Sequence, residues 1–308
     1  MREPIKLKNL PKEEHKRLIQ RSIVQLEEII PKIIPIVEEV KRKGDKAVLK
    51  FTEKFDKVVL SKDSLKVSRQ KLKDAYKKVS SSLVSSLEKM REQVEDFHRH
   101  QLQKDYFVKK DAPSLTLGQK FSPMEKVAIY VPGGKAPYPS TAIMGCVPAK
   151  LAGVKEVIVC SPPSPTGDAR AEIMLASYIG GADLLVNAGG AQAIAALAYG
   201  TESIPKVDFI AGAGNVYVTS AKVYLASLGR IGIDCPAGPS EILIIADNTA
   251  DPSYITWDML SQAEHDETAW SVLITDSENL AWKVYKQINV EICLLYTSDA
   301  ADELDGVD

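Results

Sequence analysis

The run LSQAEHDETAW, residues 260–270, sets Gln262 and His265 three apart in a short polar stretch. At that spacing two helical residues lie on one face. A glutamine oxygen and an imidazole nitrogen are two of the four N, S or O donors that zinc takes, so the pair reads as half of a metal site. The chain has 4 histidines, and the other three, His15, His98 and His100, lie far upstream. His98 and His100 would point to different sides of a helix and are not read as joint ligands. No histidine follows His265.

Three glycine-rich loops could bring backbone close to an anion. They are YVPGGKAPYPST, NAGGAQA with Gly189 and Gly190, and AGAGNVYVT with Asn215. Each precedes a helical run, and free N–H groups at a helix start favour anions. GAGNVY begins like G-x-G-x-x-G but has no third glycine, so the pattern leaves two readings open: a nucleotide loop, or tight turns only. In DCPAGPSEILIIAD, Ser240 and Glu241 open a strand expected to be buried. Ser240 is either a capping residue of the turn or a substrate hydrogen-bonding group. Cys146, Cys160 and Cys235 have no histidine nearby in sequence and read as structural.

The elements that must position these loops change character near Lys126. Residues 1–105 read as helical. Pro31 and Pro35 are expected to break or kink the first run, Gly44 to close it and Asp45 to cap the next. One long amphipathic helix is expected from about Gln70 to Gln103. After Lys126, KVAIYV, KEVIVC, ADLLVN, VDFIA, EILIIA and AWSVLIT alternate with helical runs. Ser140 or Thr141 is available to cap the first of these helices. Short β-branched strands alternating with amphipathic helices imply an α/β fold with a mostly parallel sheet. In such sheets ligands bind beyond the carboxyl ends of the strands.

With 308 residues the chain is long enough for two domains. A net charge of −2, with mixed signs along the Lys- and Glu-rich helices, argues against nucleic acid. No apolar run reaches membrane-spanning length, no signal peptide is seen, and 4 dispersed cysteines suit a reducing cytoplasm.

In order, GDKAVLKFTEKFD, YVPGGKAPYPST, PAKLAGVKEVIVCSPP, GGAQAIAALAYGTESIPKVDFIAGAGN, DCPAGPSEILIIAD and SQAEHDETAWSVLIT resemble the histidinol dehydrogenases, from about residue 20 to about residue 290. The resemblance implies an NAD-dependent, zinc-containing homodimer that oxidises L-histidinol to L-histidine through L-histidinal. It implies that Tyr130, Gln192 and Asn215 contact NAD, that Ser240 contacts substrate, and that Gln262 and His265 bind both zinc and substrate. Ala213 departs from the family, which has proline in a GPGN loop. The implied fold is two incomplete Rossmann-like domains with parallel sheets and a helical N-terminal arm. The expected bounds are 1–30 for the arm, 31–125 with 241–292 for the first domain, and 126–240 for the NAD-binding domain. A related zinc and NAD alcohol dehydrogenase for another substrate, such as a sulfonated diol, would share these loops. A non-catalytic nucleotide-binding protein is the alternative of another class.

The family's general bases, a Glu-His pair, and its remaining zinc ligands lie beyond the region matched, so no catalytic residue is assigned in this chain. From Cys293 to Asp302, CLLYTSDAAD resembles one translated frame of a transposase-type sequencing adapter, and the residues after it are compatible with its continuation. Residues 293–308 are therefore expected to be a non-native tail. The chain is expected to be a fragment that does not oxidise histidinol, holds zinc weakly and exposes apolar surface.

Overall fold

The computed structural model describes residues 3–109, 115–133, 137–236, 241–264 and 269–302, with no side-chain description for 17–25 or 293–302. Ser240 and His265 lie outside the described residues. The chain divides into two compact units, Gln25–Ala237 and Met1–Val24 with Gly238–Asp308. These bounds differ from the expected ones, because elements from residues 31–125 pack within the first unit.

In chain order, α1 (Lys12–Lys43), α2 (Asp45–Asp56), β1 (Lys66–Ser68), α3 (Arg69–Asp74) and α4 (Ser81–Arg99) precede an antiparallel pair, β2 (Tyr106–Lys109) and β3 (Thr116–Gln119). The alternating region follows: β4 (Lys126–Tyr130), α5 (Pro139–Leu151), β5 (Glu156–Ser161), α6 (Ala171–Ile179), β6 (Leu184–Asn187), α7 (Gly190–Tyr199), β7 (Phe209–Ala211), α8 (Val216–Ser227) and β8 (Gly232–Ile233).

The sheet order is β1-β6-β5-β4-β7-β8. All neighbours are parallel except β1, which runs antiparallel to β6. Successive side chains of a strand face opposite sides, and the central strands are apolar on both. Ala128, Tyr130, Ile158, Cys160 and Val186 join a core with α1, α2, α7 and α8. Val127, Ile129, Val157, Val159 and Leu185 join a second core with α3, α4, α5 and α6. Each fully buried Ile or Leu in these layers contributes roughly 1.5–3 kcal/mol.

Several expected local features differ. The first helix continues through Pro31 and Pro35. The two prolines are four apart on an exposed face, while Ile33, Val37 and Val40 are buried. Carbonyls deprived of their helical donor there can turn to water. Asp45 is the first residue of α2 rather than its cap, which is Gly44. Buried Asp45 accepts hydrogen bonds from Thr201 Oγ1 at 2.5 Å and Ser203 Oγ at 2.6 Å, tying α2 to the loop after α7. The expected helix from 70 to 103 is interrupted, because Ser80 caps a new helix by accepting from Leu83 N at 3.3 Å. Tyr138, with no side-chain cap bond, precedes α5, and Ser140 and Thr141 fall inside its first turn.

In the other unit, β9 (Glu241–Ile245) and β10 (Trp270–Ile274) pair in parallel, joined through α9 (Pro252–Glu264) and followed by α10 (Glu278–Asp302). Ile255, Leu260, Leu280, Val284 and Ile288 form its core, with Ile244 against it. β9 was expected to be buried, but it alternates: Leu243 is 58% and Ile245 77% exposed. Period-two alternation leaves only one set of its side chains on the helix-covered face.

Candidate functional site

The strand order reverses at β4, which has β5 and β6 on one side and β7 and β8 on the other. Loops diverge at such a switch point and leave a crevice outside the carboxyl ends of the strands. Tyr130 ends β4 there, and its side chain is buried on the α7 side. Gly190 N donates to Tyr130 Oη at 3.2 Å, so the phenol oxygen meets the start of α7. Burial, with Cys160 nearby, pushes the phenol's pKa well above its ordinary value of 10.0. The hydroxyl therefore keeps its proton, which it can donate to a ligand oxygen.

Gln192 lies in the first turn of α7 and is 1% exposed. Neither its Oε1 nor its Nε2 has a hydrogen-bond partner. A buried polar group left unpaired costs about 1–3 kcal/mol, so this amide is an expensive feature of the fold by itself. Gly190 sets its place. With φ at +65°, Gly190 adopts a conformation that favours glycine, and a Cβ there would stand 2.7 Å from Gln192 Oε1.

The third loop passes over Tyr130 from the other side. Gly212 has φ at +105°, and a Cβ on it would collide with the Tyr130 carbonyl oxygen. Its backbone is held at both ends: Gly212 N donates to Asp234 Oδ2 at 2.8 Å, and Lys222 Nζ donates to Gly212 O at 2.9 Å. Lys222 and Asp234 also form an ion pair with each other. Asn215 then caps α8, its Oδ1 accepting from Tyr217 N and Val218 N at 3.1 Å each. That oxygen is committed to the helix, so the amide nitrogen is what Asn215 can present to a ligand.

Tyr130, Gln192 and the loop leading to Asn215 thus meet at one end of the sheet. Gln262 is half-buried near the end of α9 and belongs to the other unit. Among the described residues no group of three or more His, Cys, Asp or Glu stands close enough to hold a metal ion. Cys146 and Cys160 are buried, as their structural reading requires. Burial pushes the Cys146 thiol up to about 12, and Cys160 Sγ donates to Ala188 O at 3.2 Å. Cys235 is exposed. His98 Nδ1 lies 2.6 Å from Gln101 Oε1 on an exposed surface.

Sequence reasoning did not find Lys222, Asp234 or Asp56 at this end of the sheet. The available signal was a lysine in the otherwise uncharged VTSAKVYLAS and an acid closing each of KFTEKFD and RIGID.

The fold and site define an α/β protein with a mostly parallel sheet whose switch point at β4 gathers polar side chains and glycine-rich loops. The family model described as Histidinol dehydrogenase matches residues 19–304. The chain belongs to the histidinol dehydrogenase family. It is 44% identical over 278 residues to histidinol dehydrogenase of Methanopyrus kandleri, covering 90% of this chain and 64% of that one. It is 42% identical over 287 residues to the Methanocaldococcus jannaschii protein of the same name, covering 93% and 66%. The crystal structure of histidinol dehydrogenase from Elizabethkingia anophelis superposes with a TM-score of 0.75 at 34% identity, over 88% of this chain and 64% of that one. The chain therefore spans somewhat less than two thirds of the length of these relatives. The family match reaches into residues 293–304, the segment that resembles translated adapter, and α10 continues to Asp302.

Proposed function

We propose that residues 25–237 bind NAD, and that the complete protein oxidises L-histidinol to L-histidine through L-histidinal in histidine biosynthesis. The observation that carries the cofactor reading is the buried, unpartnered amide of Gln192 beside the Tyr130 hydroxyl. A ligand with both donors and acceptors would satisfy that amide, and a dinucleotide has both. Tyr130 donates its hydroxyl proton, Gln192 donates and accepts, and Asn215 donates from its amide nitrogen. The start of α7 offers the backbone N–H groups of Ala191 and Gln192 to the pyrophosphate, whereas at the start of α8 those of Tyr217 and Val218 are taken by Asn215. Glycine at 190 and 212 keeps the crevice free of side chains where backbone must come close. The sheet order, with the crevice at β4, suits a Rossmann-like reading of this unit.

NAD supplies the hydride acceptor for the two oxidations. Zinc would be held in part by Gln262 and His265, whose oxygen and nitrogen donors suit it, with Ser240 meeting the substrate. His265 and Ser240 are assigned from family resemblance. Dimerisation and a cytoplasmic setting belong to the same reading, which the absence of a membrane-spanning helix among the described residues leaves open.

Calorimetric titration of the 308-residue chain with NAD tests the site. The expected result is saturable binding that Gln192→Ala weakens at least tenfold. No binding to the folded chain, or equal binding by the variant, would sink the assignment.

A further inference from the structure

Helix α2 ends at Asp56, where Lys57 turns the chain with φ at +59°. Asp56 is half-buried, and its Oδ2 is buried with no hydrogen-bond partner. It lies close enough to Tyr130 and Cys160 to act electrostatically on both. Those residues stand at the carboxyl ends of β4 and β5, so Asp56 reaches the crevice from a helix outside the alternating region.

A carboxylate only accepts hydrogen bonds, so Oδ2 lacks a donor. Its neighbours do not supply one. The Cys160 thiol donates to Ala188 O, and no bond joins Tyr130 Oη to Asp56. The unpaired acceptor of Asp56 and the unpaired amide of Gln192 therefore mark the same end of the sheet, and both await a ligand.

We infer that Asp56 is a further cofactor-binding residue whose carboxylate accepts a ribose hydroxyl of NAD seated against Tyr130 and Gln192. This rests on the cofactor reading above. Hydroxyls are the donors along the middle of a dinucleotide. Its phosphates carry the same sign as Asp56 and are directed instead to the start of α7. The carboxylate thus sets which part of the cofactor lies beside β5.

The test compares NAD affinity of the full 308-residue chain with that of Asp56→Asn, Asp56→Ser and Gln192→Ala, by calorimetry at pH 8. Asp56→Asn keeps the size and removes a charge from a half-buried position, so it folds, as a thermal melt of each variant will show. The expected result is a loss of at least tenfold for each of the three variants. If Gln192→Ala weakens binding and both Asp56 variants stay within twofold of the parent, the Asp56 inference falls and the site reading stands. If the parent does not bind NAD, or Gln192→Ala binds as the parent does, the site reading falls and takes Asp56 with it.

Discussion

Lys222 and Asp234 form an ion pair that grips one residue from both ends: Asp234 takes the Gly212 N–H and Lys222 takes the Gly212 carbonyl. The lysine side chain is 4% exposed and the aspartate side chain 36%. Such a pair contributes little net stability over an apolar replacement, but removing one partner leaves a buried charge. Its evident use is to fix the loop that crosses Tyr130.

Asp234→Ala is therefore expected to destabilise the chain. A fully buried orphaned charge costs about 3–5 kcal/mol. The aspartate is over a third exposed, so about 2 kcal/mol is expected after allowing for solvent screening. Urea unfolding measures it. Lys222→Met, which removes the buried charge itself, is expected to cost less than Asp234→Ala. The reverse order would show that the loop, not the charge, dominates.

Much of the fold was legible in the sequence because helices cover both faces of the sheet. β4, β5 and β6 read as short apolar runs, each followed by a helical run. β1 was missed because three residues, with exposed Lys66 and Ser68 about buried Val67, are too short a run to stand out in a lysine-rich stretch, and their strand state comes from pairing with Leu184–Val186. Pro31 and Pro35 misled for a related reason. Their side of α1 faces water, a tertiary fact that local propensity does not contain. At the site, the loops with Gly190, Gly212 and Asn215 were visible as glycine-rich turns, but pattern alone left turn and ligand loop undecided. Tyr130, Gln192 and Asn215 came from family resemblance. Asp56, Lys222 and Asp234 could not be read, since each gains its role from a neighbour distant in the chain or from burial.

Asp56 also gives the protein a pH signature. Burial raises its carboxyl from the ordinary 3.8 to about 6. The folded state then holds this proton more tightly than the unfolded state, so stability falls as pH rises from about 4 to about 6. Above that the loss is complete, on the order of 2 kcal/mol for a half-buried group. The facing groups, Tyr130 and Cys160, are both driven up by burial and stay neutral in this window. Asp56→Asn is expected to gain on the parent by about that amount between pH 4 and pH 8, in guanidinium unfolding at stepped pH. A stability difference that does not change across this range would show that the folded state does not raise the Asp56 carboxyl above its unfolded value.

Gly190→Ala joins backbone conformation to the ligand site. At φ +65° a non-glycine residue is strained by roughly 1–2 kcal/mol. The added methyl would also stand 2.7 Å from Gln192 Oε1, inside any ordinary contact, so one of the two must move. Because Gln192 is buried among α7 residues, displacement of its amide is the easier response, and that amide is the group assigned to NAD. The variant is expected to lose about 1–3 kcal/mol of stability and to bind NAD at least tenfold more weakly. Gly229→Ala provides the comparison: its φ is +64°, and nothing lies within 4 Å of an added Cβ. It should lose similar stability through backbone strain and leave NAD affinity unchanged. Equal weakening of NAD binding by both variants would trace the effect to general loosening of the fold, and Gly190 would have no particular tie to the Gln192 amide.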